Sequence, residues 1–393
     1  MANRFLDAQP HPCTYPGDLP PLPIIDWAAV DHKAPTVVDL GKPGIDDPLP
    51  KADVVVMTWT NAEWSALDHV FLNSHQERSG KDNSFQEAWH LRSNDQPDNT
   101  FKLWAFYRMV KIKNASGKSL KVLLLKANAH LAYPPYCTGL IEMVKLMLKE
   151  ARPTYLYSIG TAGGSALEYR LGDTVVTNAG HIMLEMQEND ICNIQGKTIK
   201  GKWFPNMDMV PSIEKKLLFP LNTVVNKKQL EYLLCEMIYN PSTGNPVWAG
   251  TVTVKDLTNA ALSPSNLSNP RAINRKGVPL LTTDFYFISH GDNSVQYSCL
   301  EMDDALVGLV AQEANTKFVF VRNISDPVVP DTTLKGQPLS DTLREAWSSQ
   351  IYARYGLYTS MNGALLTWGM IAGEKTSGPV KKKQVSKTKK SRK

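Results

Sequence analysis

Ser158-Ile159-Gly160-Thr161-Ala162-Gly163-Gly164, followed closely by Leu171-Gly172-Asp173-Thr174-Val175-Val176, decides how the chain is read. Residues 155–159 form a short apolar run, which reads as a buried strand. The glycines read as a turn at its end, and residues 174–176 begin another strand. Glycine has no Cβ, so backbone amides in such a turn can approach a bound group closely. A plain tight turn between strands accounts for the same residues.

The pattern extends outward in both directions. Residues 53–58 are apolar and β-branched, a second buried strand, and Asn61 can cap a helix running to about residue 72. Residues 103–113 alternate and residues 120–126 are strongly apolar, with a Ser-Gly turn signal between them. Pro134 and Pro135 open a helix to about residue 151. Further on, residues 229–238 suggest a short helix, 247–254 a strand, 299–313 a helix, 318–321 a strand, and 339–371 a long helix or helix pair. Strands alternating with helices imply an α/β fold, three layers α/β/α around a mixed, mostly parallel sheet.

The chain of 393 residues is 42% hydrophobic and 21% charged, a globular balance far from that of disordered chains. One main domain is expected over residues 52–372, with insertions near 73–118 and 187–245. Residues 1–51 hold 10 of the 26 prolines and read as an extended arm lying on the body or on a partner subunit. Residues 373–393 read as a disordered basic tail. Residues 381–393 carry eight Lys/Arg and no acid, and without them the net charge of +5 becomes −3. Such a tail suits non-specific contact with a polyanion, or simply solvation. The five cysteines are scattered and form no CxxC pair, which argues against a disulfide framework and a zinc site, and for a reducing compartment. No signal peptide and no membrane-length apolar run is visible, so a cytoplasmic protein is expected.

Chemistry concentrates in a few segments. Leu300-Glu301-Met302-Asp303-Asp304-Ala305 places acids at the start of an apolar helix. They can complement the helix dipole, or accept hydrogen bonds from neighbouring sugar hydroxyls while the methionine packs on the sugar face. Val321-Arg322-Asn323-Ile324-Ser325-Asp326 puts an acid at the carboxyl end of a strand, where α/β sheets place their ligands; a turn or cap is the plainer alternative. Glu63 follows the strand at 53–58, and a lone helical glutamate is usually a surface residue.

In this order and spacing the segments resemble the nucleoside phosphorylase superfamily, most closely its methylthioadenosine/S-adenosylhomocysteine nucleosidase branch. The resemblance covers about residues 52–372. It implies that Asp326 protonates the purine, with Ser325 and Arg322 in support, and that Glu63 activates the attacking water. Glu301 and Met302 would border the ribose. Asp303 stands where the family has a glutamate that holds the ribose hydroxyls, one methylene longer. Tyr286, or failing it Phe287, would stack on the base, and Thr161, Ala162 and Gly163 would approach the ligand from the glycine segment. No metal or cofactor is implied, and a homo-oligomer is expected.

The resemblance implies hydrolysis of the N-glycosidic bond of a purine nucleoside or nucleotide. Phosphorylases of the superfamily carry Gly-Asp-Pro-x-Arg after the first strand; here the place reads Thr58-Trp59-Thr60-Asn61-Ala62-Glu63, where a glutamate would repel phosphate. Lys126 leaves phosphorolysis open. Lys197, Lys200 and Lys202 would suit a 5′-phosphate, and some enlarged members of the superfamily, antiphage effectors among them, act on nucleotides. A nucleotide-binding sensor without catalysis is the reading from a different class.

Overall fold

The computed structural model describes residues 13–93, 103–132, 136–185, 193–239, 252–289 and 293–375. Its centre is β1 (Val54–Thr58), buried at every position. β1 lies between β3 (Ser119–Ala127) and β4 (Tyr155–Gly163), parallel to both. β2 (Leu103–Lys113) pairs antiparallel with β3 on the outer side. On the inner side β4 runs parallel to β9 (Lys317–Asp326), from Tyr155 beside Lys317 to Gly163 beside Asp326. β9 is antiparallel to β5 (Thr174–Thr177). A second branch, β6 (Ala179–Met183), β7 (Leu280–Thr283) and β8 (Leu300–Glu301), is parallel within itself and meets β4 at Gly163. The sheet is mixed, as expected.

Alternation along β1 divides the core in two. Val54 and Val56 face one layer, with α1 (Asn61–Phe71) and the long α5 (Asp341–Gly373); Leu67, Val70 and Trp347 pack there. Val55 and Met57 face the other, with α2 (Tyr136–Ala151) and α4 (Asp304–Glu313), where Leu140, Met147 and Leu306 pack. Residues i and i+2 share a face of a strand, so a strand buried on both sides reads as an unbroken apolar run. α5 is one helix of 33 residues, buried at nearly every position beyond Tyr355. A helix apolar all round belongs inside a core.

Several local expectations change. The segment 160–163 is no turn: β4 continues through Gly163 because β9 pairs with it to the end. β9 likewise extends through Asp326, so the acid closes the strand instead of following it. Thr60, not Asn61, caps α1. Residues 299–313 divide into β8 and α4, and Val254–Leu257 is a short helix where a strand was expected, with 247–251 outside the described residues. The basic run 381–393 also lies outside them.

The arm lies on the chain's own body. Leu22 pairs with Arg78, Pro20 and Gly17 accept from Tyr358 and Arg354 of α5, and the Trp27 and Trp368 rings are centred 4.3 Å apart. Contrary to the reading of the cysteine pattern, Cys13 is disulfide-bonded to Cys235 in α3 (Lys227–Tyr239), and Cys137 is disulfide-bonded as well. A separation of 222 residues leaves no local spacing to read. Cys299 is free and buried. Among the described residues no helix is long and apolar enough to cross a membrane.

Candidate active site

The carboxyl ends of β1, β4 and β9 converge on a cleft enclosing about 1050 Å³, solvent at its mouth included. It is at this end of a parallel sheet that α/β proteins bind ligands. Every catalytic and binding residue named from the sequence lines it: Glu63, Thr161, Ala162, Gly163, Tyr286, Phe287, Glu301, Met302, Asp303, Arg322, Ser325 and Asp326.

Glu63 is delivered by a capping box. Its Oε2 accepts from the Thr60 amide at 2.8 Å, while its own amide donates to Thr60 Oγ1. Oε2 also accepts from Thr58 Oγ1 and the Trp59 amide, and Oε1 from the amide and hydroxyl of Thr161, for five donors in all. A carboxylate offers about four lone-pair sites, so these donors occupy the group completely. Burial pushes the Glu63 pKa up, but the neighbouring Arg322 and the Thr60 and Thr161 donors outweigh it and hold the group below its ordinary value.

Arg322, buried under the cleft floor, organises the acids. Nε donates to Asp304 Oδ2 at 2.7 Å, Nη2 to Asp304 Oδ1 at 2.5 Å, and Nη1 to the Thr161 carbonyl at 3.1 Å. Glu301 lies 3.0 Å from Nη2. Gly160 makes room for this: a Cβ there would fall 2.5 Å from Arg322 Nη1 and 2.9 Å from Glu63 Oε1. Arg322 was expected to support Asp326; its own partners are Asp304 and Glu301, which it holds from below.

Glu301 turns inward. It accepts from Thr282 Oγ1 and from the Asp303 and Asp304 amides. Burial, then the nearby Asp304 charge, push it up to about 8. Asp303 points into the cleft. Its Oδ1 accepts from the Leu131 amide at 2.9 Å, and its Oδ2 lies 3.1 Å from His130 Nε2. Burial pushes Asp303 up to about 8 and His130 down to about 4.

Asp326 stands at the other side, where among the described residues no Lys or Arg pairs with it. Ser325 Oγ donates to its Oδ1 at 2.6 Å and the Tyr286 hydroxyl to its Oδ2 at 3.2 Å. Burial raises its pKa to about 6, against the pull of both donors. Tyr286 is therefore tied to the acid by its hydroxyl, a link that an expectation of stacking alone does not contain.

The sequence reading missed Trp59, Thr60, His130, Ser348, Ser349 and Tyr352, which also line the cleft. The capping pattern Thr60-x-x-Glu63 was a local signal for Thr60. The three α5 residues carry none, since only packing brings that helix to the site. Lys126, Lys197, Lys200 and Lys202 do not line the cleft. Among the described residues no group of three or more His, Cys, Asp and Glu is placed to hold a metal ion.

No protein-family model and no curated protein matches the sequence. Among solved structures, the chain is similar to the S-adenosylhomocysteine nucleosidase of Streptococcus pyogenes in complex with 5-methylthiotubericidin, at 11% identity and a TM-score of 0.42, over 82% of this chain and 98% of that one. It is similar to the 5′-methylthioadenosine/S-adenosylhomocysteine nucleosidase of Neisseria meningitidis, at 10% identity and 0.41, over 81% and 98%. It is also similar to the futalosine hydrolase of Helicobacter pylori strain 26695, at 9% identity and 0.40, over 80% and 96%.

Proposed function

We propose that the protein hydrolyses the N-glycosidic bond of a purine nucleoside. The observation that carries this is Asp326: a largely enclosed carboxyl raised to about 6, in a cleft whose far wall is lined with further carboxyl groups. An acid of that pKa is still partly protonated just below neutrality, where an ordinary aspartate is not, and can pass its proton to the purine, making the base a better leaving group. As the bond from C1′ to the base nitrogen breaks, positive charge develops on the sugar. The ionised Glu63 stabilises it electrostatically. Water adds to C1′, one of its protons staying on the new hydroxyl and the other passing to Glu63; free base and ribose leave, Glu63 gives its proton to solvent and Asp326 takes one up.

Glu63 acts on that water through Thr161. The Thr161 hydroxyl is a rotatable donor, and turning it away frees a lone pair on Oε1 for the attacking water. Tyr286 and Phe287 border the base beside Asp326.

The charge of the cleft favours water over phosphate and a nucleoside over a nucleotide. Four carboxyl groups line it, and the one Lys or Arg among the described lining residues is Arg322, already engaged by Asp304 and Glu301. An incoming phosphate or a 5′-phosphate meets the ionised Glu63 and finds no uncommitted Lys or Arg among the described lining residues.

Incubation with adenosine, methylthioadenosine, AMP and ATP, with and without phosphate, tests this. Free base with ribose from the nucleosides, independent of phosphate, is expected. Ribose 1-phosphate makes the protein a phosphorylase, and binding without turnover makes it a sensor.

A further inference from the structure

Asp303 is one methylene shorter than a glutamate, and two consecutive residues, His130 and Leu131, hold it at the cleft. His130, just past the end of β3, is a half-buried ring in T-shaped contact with Trp59, their centroids 6.3 Å apart. Its Nδ1 accepts from the Ala132 amide at 3.0 Å. Burial pushes the ring down to about 4, so it is neutral at neutral pH. A neutral imidazole carries one N–H, and with Nδ1 accepting, that proton resides on Nε2. The Nε2–H therefore lies within donor distance of Asp303 Oδ2, 3.1 Å away, and the Leu131 amide donates to Oδ1. Consecutive residues of one loop thus grip both oxygens of the Asp303 carboxyl group. Each oxygen keeps a lone pair for the cleft.

We infer that His130 is a positioning residue that, with the Leu131 amide, holds Asp303 so that its two oxygens receive the 2′- and 3′-hydroxyls of a ribonucleoside, making the site selective for ribose over 2′-deoxyribose. Two vicinal hydroxyls match the spacing of the two oxygens of one carboxylate. A 2′-deoxy sugar leaves one oxygen unpaired, and a buried polar group without its partner is what gives a hydrogen-bonding site its discrimination. Neutral His130 supplies the hydrogen bond without adding a cation that would oppose charge developing on the sugar.

The inference rests on the nucleosidase reading, and the experiment separates the two. Base release is measured from adenosine and 2′-deoxyadenosine with wild type, His130→Ala and His130→Gln, each checked for a native melting transition. Wild type is expected to prefer adenosine in kcat/KM. In His130→Ala the loss falls on adenosine, so the preference shrinks about 5- to 100-fold, the scale of leaving one buried hydrogen-bonding group without its partner. His130→Gln, whose amide can donate from nearly the Nε2 position, restores most of it. If His130→Ala does not fold, His130→Phe keeps the bulk without the donor and is read in the same way. Equal losses on both substrates, or no loss, overturn the inference and leave the hydrolase reading intact. If wild type releases no base, the hydrolase reading fails, and calorimetric binding of the two nucleosides to the same variants gives the ratio instead. An unchanged ratio, or no binding of either nucleoside, overturns the inference there too.

Discussion

The Tyr286 hydroxyl donates to Asp326 Oδ2 across 3.2 Å, while Ser325 donates to the opposite oxygen. Both donors favour the charged carboxylate, and burial favours the neutral acid and prevails, leaving the group at about 6. The acid's strength is therefore a balance that single substitutions can move.

Asp326 must be protonated to act, so kcat/KM for a purine nucleoside is expected to fall as pH rises through about 6. Asp326→Asn should lose turnover by ~10²–10⁴-fold and flatten that limb while still binding ligand. Base release followed from pH 5 to 8 checks it. An unchanged limb in the variant removes Asp326 from the mechanism.

Tyr286→Phe removes one donor to the carboxylate, so the alkaline limb should move to higher pH. The same pH series in the variant gives the sign. A limb displaced to lower pH contradicts the assignment of Tyr286 as the donor.

Glu63→Gln should abolish most turnover and also lower the melting temperature. The amide nitrogen would have to face donors at either end of the group, beside a buried Arg322 that loses an opposing charge. About 2–4 kcal/mol of stability is at stake. Calorimetry beside the activity assay decides: a wild-type melting temperature would show that the five-donor network does not bear on folding.

Gly160→Ala should be damaging although its backbone is ordinary. The added methyl would meet Arg322 and Glu63 at once, at 2.5 and 2.9 Å. Overpacking of this kind costs about 1–3 kcal/mol, and the shift of Arg322 should reduce turnover too. Retention of wild-type stability and rate would mean that the two side chains can separate without consequence.

Cys13→Ser should lower thermal stability, by an order of 2–4 kcal/mol, because the bond closes a loop of 222 residues. Adding reductant to wild type should lower it at least as far, and the variant should respond less, since only the disulfide of Cys137 is left to reduce. Melting curves that do not respond to reductant would show the cysteines unpaired in solution.

Where the residues of one strand end or one helix start share a local pattern, the sequence was readable. The unbroken run at 54–57 declared a doubly buried strand, and Glu301-Met302-Asp303 and Ser325-Asp326 sit at the cleft because each belongs to an element whose end faces it. The failures have a common cause. Glycines at 160 and 163 look like a turn in isolation, and β4 stays extended because distant β9 supplies its hydrogen-bond partners. Cys13 and Cys235 meet through the path of the arm over the body, which no spacing announces.

The sequence by itself determined the alternation of strands and helices, the division of the core about a central sheet, and the acids available to the cleft, because periodicity and strand-end position are local properties. Only the tertiary structure decided what state those acids occupy. Asp326 is raised because it is buried without a cation, and Glu63 is lowered because Arg322 and residues from two strand ends converge on it. His130 meets Asp303 across 173 positions of chain. A pKa and a hydrogen bond depend on distance and dielectric in space, and those exist only once the chain has folded.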